Sequence, residues 1–306
     1  MEGFSCLSNL RKHGRPSRIR GCAVRKFDLS HAKHEPSHCL APGLFRSLKK
    51  GERKTSKLHV VYEFGKENLI EFKGPEPLGA DDMRVLQGLV ALAGPTGKTL
   101  LPETETGIGM ALREGLRPKW NAVKEKSLVV IGSYRQLARE IGYRESDTRR
   151  IAECIERLWT VSIIVQSGSE RRGFHLLSHY SGDKKTDGLC VALNPMLSEA
   201  VLGQTRHVRI VMSEVRALKN DISRLVHQRL CGFIDPGKNG RVETETVCGY
   251  VWADGETAGE QTRRQRKSRV RRAIMDLVPL GWRIEEYAKD KWLVVRPEAK
   301  PVIDIS

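Results

Sequence analysis

"SLVVIGSYRQLAREIGYRESDTRRIAECIERLWTVSIIVQ", residues 127–166, passes from strand to helix to helix to strand. A short apolar run, Leu128 to Ile131, leads to Ser133, and Ser133 with Gln136 has capping-box spacing. "YRQLAREIG" then follows a helical period and stops at Gly142. A second helix from about Asp147 sets Ile151, Cys154, Ile155, Leu158 and Trp159 on one face. The opposite face carries Arg149, Arg150, Glu153, Glu156 and Arg157. Leu137, Ala138, Ile141 and Gly142 stand where the first helix of a helix-turn-helix packs closely and turns, although "GYRES" is longer than the tightest turns. "VSIIVQ" and "GFHLLSHY", joined by "SGSERR", read as a hairpin, and "GLCVALN" as a third strand. A helix-turn-helix followed by a hairpin predicts a winged helix. Arg171 and Arg172 then fall at the wing tip, where a phosphate or the minor groove is met.

Upstream, Leu58, Val60, Tyr62 and Phe64 alternate in "KLHVVYEFGKENLIEF", residues 57–72, a second hairpin turning at "GKEN". "ADDMRVLQGLVALAG", residues 80–94, predicts a helix with Asp81 or Asp82 at its start. Its stripe is Val85, Leu86, Leu89, Leu92 and Ala93, and Gly94 with Pro95 stops it. "GPTGKT", residues 94–99, has the letters of a nucleotide-binding loop. That loop needs a glycine five places before Gly97, where Leu92 stands, and a strand ahead of it, where a helix is predicted. Lys98 is therefore a turn residue, and no cofactor is expected.

Downstream the plan repeats. "HVRIVMSEVRAL" is a strand and connection, and "KNDISRLVHQRLCGFID" a helix with Ile222, Leu225, Val226, Leu230 and Phe233 inside. "VETETVCGYVW" is a short helix and "ADGETAGE" a flexible loop. "QTRRQRKSRVRRAIMDLVPLGW" is the next helix, and "RIEEYAKDKWLVVRP" a wing with Lys289, Asp290 and Lys291 at its tip. "TRRQRKSRVRR", residues 262–272, holds seven basic residues and no acid. Val270, Ile274, Leu277 and Val278 define its core face, so Arg264, Gln265, Ser268, Arg271 and Arg272 face outward. Arginine suits guanine edges, glutamine suits adenine, and serine follows either. Arg263, Arg266 and Lys267 point sideways or coreward, fitting backbone phosphates. The expected architecture is α+β. Two tandem winged-helix domains, residues 31–202 and 203–300, follow a basic, disordered tail, residues 1–30.

The 306 residues hold 53 Lys and Arg against 37 Asp and Glu, a formal charge of +16, and a polyanion is the natural partner. No apolar run approaches the ~18 residues of a spanning helix, and the first residues lack a signal-peptide core, so a cytoplasmic protein is expected. Seven scattered cysteines without a C-x-x-C argue against a disulfide framework. His31, His34, His38 and Cys39 offer metal-ligand types, but Pro36 breaks their helical spacing and no second cluster joins them, so no metal site is expected. His175 and His179 read as wing residues. No nucleophile–base arrangement and no His-x-His pair occurs, so a binder and not an enzyme is expected.

"HEPSHCLAPGLFRSLKKGERK", "GPEPLGADDMRVLQGLVALAGP", "CIERLWTVSII", "VALNPMLSEAVLG", "EVRALKNDISRLVHQRLCGFIDPGK", "CGYVW" and "LVPLGW" resemble the RepC replication initiators of IncQ-type plasmids, across residues 31–297. The resemblance implies binding to iterons, the tandem repeats of a plasmid origin in double-stranded DNA. It also implies melting of adjacent DNA and recruitment of plasmid helicase and primase. Other iteron-binding initiators are similar in architecture, with two modules in successive major grooves. A homodimer and a cooperative array on the repeats both fit. From the residues alone a second class stays open, a winged-helix transcriptional regulator.

Overall fold

The computed structural model describes residues 31–96, 98–100, 127–183, 185–252 and 258–298. The basic segment 1–30, most of the stretch after Lys98 and residues 253–257 of the expected loop lie outside the described residues. Strand β1 (His31–His34) leads into a short helix α1 (Pro36–Leu40), with Pro36 in its first turn and the Glu35 carboxylate accepting from the His38 backbone. Helix α2 (Glu52–Thr55) precedes the expected hairpin, β2 (Leu58–Phe64) and β3 (Asn68–Gly74). Helix α3 (Ala80–Thr96) buries Val85, Leu86, Leu89, Leu92 and Ala93, as the stripe predicts. It runs two residues past the expected stop. Gly94 does not take the left-handed cap.

A three-residue strand β4 (Lys98–Leu100) and β5 (Ser127–Ser133) lead into α4 (Tyr134–Ile141) and α5 (Thr148–Thr160). The Ser133 hydroxyl accepts from the Gln136 backbone at 3.0 Å, and Gly142 closes α4 at φ 70°. Leu137, Ala138 and Ile141 are wholly buried against α3. The approach is closest at Gly88, where a Cβ would lie 2.3 Å from Ile141 Cγ2 and 2.6 Å from Leu137 Cδ1.

Strands β6 (Ser162–Ser167), β7 (Glu170–His175), β8 (Leu177–Asp183) and β9 (Gly188–Leu193) follow. "GFHLLSHY" is thus not one strand. Leu176 and Leu177 are both wholly buried, which period-two alternation forbids, and the Leu176 N–H turns to Val161 at 2.8 Å. The chain changes sheet there. β7 ends a four-stranded sheet of order β2-β3-β6-β7, and β8 belongs to another of order β4-β5-β9-β8. The upstream hairpin and the expected wing are therefore one sheet, joined at β3 and β6.

Helix α6 (Pro195–Leu202), capped by Asn194, leads to β10 (Val208–Val211), α7 (Met212–Ala217) and α8 (Asp221–Phe233). Then come β11 (Asn239–Glu243), α9 (Thr244–Val251), α10 (Glu260–Met275), a 3-10 turn at Val278–Leu280, β12 (Arg283–Ala288) and β13 (Lys291–Val295). The last sheet has order β11-β13-β12. "VETETVCGYVW" is therefore a strand end followed by a helix. Three expected core residues are also exposed. Val278 is turned outward once the helix tightens to 3-10 geometry. Phe233, at the end of α8, lies over Gly240 of β11, and Trp159 lies over His175 of β7.

The two expected modules do not part cleanly at residue 203. β1 pairs antiparallel with β10, from His31 opposite Val211 to His34 opposite Val208. The Gln87 amide on α3 donates to Gln228 on α8 at 2.5 Å, and Gln228 donates to the His38 carbonyl at 3.1 Å. One hydrophobic core runs through both halves. The fold is mixed α+β, with a helix–helix–hairpin order appearing twice, at α4-α5-β6-β7 and α9-α10-β12-β13.

Candidate nucleic-acid interface

Helix α10 is polar over most of its circumference because only Val270, Ala273 and Ile274, with Arg266, face the core. Arg263, Arg264, Gln265, Ser268, Arg269 and Arg272 are exposed. Three of the cations singled out on this helix are committed within the protein. Arg266 is 6% exposed, with its guanidinium 5.1 Å from the centre of the Trp252 ring. It lies coreward, as its place on the helix predicts, but too deep for the exposed phosphate contact expected of it. Lys267 bonds Glu245 of α9 at 2.6 Å. Arg271 was expected to face outward. Instead it clamps the β12–β13 hairpin, donating to both oxygens of Glu286 at 2.9 and 2.7 Å and to Asp290 at 2.8 Å, over the Trp292 ring. Arg271 holds the Asp290 carboxyl below its ordinary range. Glu286 is lowered likewise, first by the Asp290 N–H and then by Arg271. Arg264 reaches Glu260 one turn back at 2.5 Å.

The β12–β13 turn is Lys289–Asp290, with Asp290 at φ 60°. Lys289 is exposed at the tip, whereas Lys291 is already the first residue of β13 and pairs with Glu243 of β11 at 3.0 Å.

On α5 the outward face is smaller than the helical wheel predicts. Arg149 is exposed and bonds Glu153 at 3.0 Å along the same face. Arg150 instead reaches α3, donating to Asp81 at 2.6 and 3.2 Å and lying over the Tyr143 ring. Tyr143 donates to the same carboxylate at 2.5 Å. Burial alone would raise the Asp81 carboxyl, but these donors hold it below its ordinary value. Arg157, also expected outward, donates to the wholly buried Asp82 at 2.9 Å, as does Arg53. Asp81 and Asp82 thus do more than begin a helix. Asp82 accepts from the Gly79 N–H at 2.8 Å, and together they bolt α5 to α3. The adjacent pair "DD" was the only sign of this in the sequence.

Arg171 and Arg172 are not at the β6–β7 tip. The turn is tighter than "SGSERR", with Gly168 at φ 56°, so both lie within β7 opposite Gln166 and Val165. Both stay exposed, Arg171 at 3.9 Å from Glu71 and Arg172 at 3.7 Å from Glu170. His175 stacks on Trp159 at 5.9 Å, and Tyr180 meets the same indole edge-on.

His34 and His38 are buried. Among the described residues, the one group of three or more His, Cys, Asp or Glu side chains with ligand atoms within 4.8 Å of one another is Glu214, His227 and Cys231. That cluster is knit by hydrogen bonds: His227 Nε2 lies 2.6 Å from Glu214 Oε2 and 3.4 Å from Cys231 Sγ, and Trp282 Nε1 donates to the same carboxylate at 3.3 Å. No helix of the described residues is long and apolar enough to cross a membrane.

The outward chemistry of α10 is therefore cationic and amide-bearing, on a helix braced by its neighbours. Domains 2 and 3 of RctB, a solved structure, share this fold at a TM-score of 0.51 and 10% identity, covering 87% of this chain and 99% of that one. No curated protein matches the sequence. The model of the family Replication protein C (RepC) matches residues 26–298, nearly the whole length, and the chain belongs to that family of replication proteins.

Proposed function

We propose that this protein is a plasmid replication initiator that binds origin iterons in double-stranded DNA without catalysing a reaction. In this reading the two helix–helix–hairpin units are winged helices. α5 and α10 enter successive major grooves, and the β6–β7 and β12–β13 hairpins lie against the flanking backbone. Binding then promotes opening of the origin and brings in the plasmid helicase and primase.

The carrying observation is the exposed strip of α10. Arg263, Arg264, Gln265, Ser268, Arg269 and Arg272 present donors suited to base edges and phosphates, and no acid interrupts them from Gln261 to Met275. The formal charge of +16 supplies the long-range attraction. Family membership supports a role in replication, and the fold supports a rigid scaffold for two such helices.

The test is titration of duplexes carrying the direct repeats and of scrambled duplexes over a range of salt. The repeats should bind more tightly, and the logarithm of affinity should fall with that of salt by about 0.9 per phosphate neutralised. Equal affinity for repeat and scrambled duplex, or a slope near zero, would refute the reading.

A further inference from the structure

A cleft of about 360 Å³ opens where the β2–β3 hairpin meets α1, α6 and the end of α8. Its walls are apolar. Tyr62 and Phe64 of β2 stack at 6.1 Å with 14° between their planes, and Leu40, Ile70, Met196 and Val208 continue the lining. Phe64 is left 38% exposed. Apolar surface open in this way marks a contact with another segment.

The charge in the cleft is mostly acidic. Among the described residues, Glu35, Glu199 and Asp235 line it with one guanidinium, Arg206, beside His207. Glu199 and Asp235 are exposed, and no ion pair among the described residues holds either. Glu35 lies deeper. The Ser37 hydroxyl and the His38 N–H donate to it, yet burial still raises its carboxyl above the ordinary range. A duplex does not suit this surface, because its phosphates would meet the carboxylates. A segment with long cationic side chains does, since their stems lie on apolar walls while their heads reach the acids.

The chain carries such a segment. "RIRGCAVRKF", residues 18–27, sets Arg18, Arg20, Arg25 and Lys26 among Ile19, Val24 and Phe27, and no acid occurs from Gly3 to Phe27. It stands just ahead of β1, whose far end runs into Glu35. The strand from His31 to Glu35 is about 13 Å long at ~3.3 Å a residue. The five residues from His31 back to Lys26 span at most ~16–18 Å, so the length suffices for a return to the cleft.

We propose that residues 18–27 are the occupant of this cleft. The segment turns back along β1, sets an apolar side chain against Tyr62 and Phe64, and pairs its cations with Glu199, Asp235 and Glu35. Its positive charge is then matched within the protein. The inference does not depend on how the protein meets DNA.

The experiment uses the full chain. A zero-length carbodiimide, which joins an amine to a carboxylate in contact with it, is applied to a mixture of isotopically light and heavy protein, followed by proteolysis and mass spectrometry. Lys26 should be joined to Glu199, Asp235 or Glu35 within single chains. In parallel, trypsin should cut after Arg20 and Arg25 roughly fivefold more slowly in wild type than in a Glu199→Gln, Asp235→Asn variant, the size of two exposed ion pairs. Both substituted positions are exposed, so the core is left intact. Phe64→Ala should speed the same cuts. Lys26 joined to acids elsewhere or to none, or equal cutting in wild type and variants, overturns the proposal. Cross-links between light and heavy chains give the cleft to a second copy and overturn it as well.

Discussion

Acidification from about pH 7.5 to about pH 5 should cost roughly 4 kcal/mol of folding stability through two histidines. His34 and His38 are 1% and 2% exposed, and their ring nitrogens find no hydrogen-bond partner among the described residues. Burial pushes each down to about 3, with His38 adding to the effect on His34. In the unfolded chain an imidazole takes its proton near pH 6.5. Between those values the unfolded chain binds more protons. The contribution is therefore complete above about 6.5 and is lost as pH falls toward 3. At about pH 5 each histidine costs about 2 kcal/mol, against a total of about 5–15 for a domain. His227 works in the other direction. Burial opposes its charged form, but Cys231 and Glu214 outweigh that and lift it to about 10. Its contribution is complete below about 6.5 and is lost as pH rises through about 10, so stability should peak near neutrality. Urea titrations followed by circular dichroism measure this, with His34→Leu and His38→Leu as the decisive variants. Their double variant should lose about 4 kcal/mol less than wild type over the same interval. The difference isolates the histidines from carboxylates such as Asp81, which also destabilise the fold in acid. An acid loss as large in the double variant as in wild type would refute the reasoning.

Arg150→Ala should cost about 1 kcal/mol of stability, a value discounted for its half-exposed side chain, and leave the salt slope of DNA binding unchanged; Arg149→Ala should do the reverse. Arg264→Ala and Arg272→Ala should each weaken repeat binding by ~1–3 kcal/mol and relax one position of the site, read by single-base substitution of the repeat. If binding instead collapses on Arg149→Ala while both α10 variants keep full affinity, α5 is the anchor. Gly88→Ala should destabilise by roughly 1–3 kcal/mol or more in urea, because its Cβ would overlap Ile141 and Leu137 across the α3–α4 contact.

What was legible in the sequence was local. The Ser133 cap, the Gly142 stop, the start of α5 beside Asp147 and the alternation of β2 and β3 depend on neighbours a few residues away. The joining of β3 to β6 and of β1 to β10 depends on partners about a hundred residues away or more, and no periodicity records it. The candidate site shows the same division. A helical wheel set Arg150 and Arg157 outward because it contains only α5. The acids that hold them are on α3, which crosses that helix. Arg271 was misplaced for the same reason, since Glu286 and Asp290 come from a hairpin the wheel omits. Ser47 and Arg269 of α10 line one cleft, and nothing in the linear order pairs them.

The acids around α10 bear on how it would meet DNA. Glu245, Glu286 and Asp290 each hold a cation of that helix, so the positive strip is narrowed to Arg263, Arg264, Gln265, Ser268, Arg269 and Arg272. For Arg271 to swing to a phosphate it would have to leave Glu286 and Asp290 uncompensated at the duplex surface, where carboxylates are repelled. The exchange gains one attraction and exposes two repulsions, so Arg271 stays a brace between helix and hairpin. A brace formed before DNA arrives fixes the angle between the two elements and removes that ordering cost from binding. It also makes a displaced register expensive, because sliding the helix along the groove brings the braced carboxylates against phosphates. On this argument the acids of the second unit act on specificity, while affinity comes from the strip they leave uncovered.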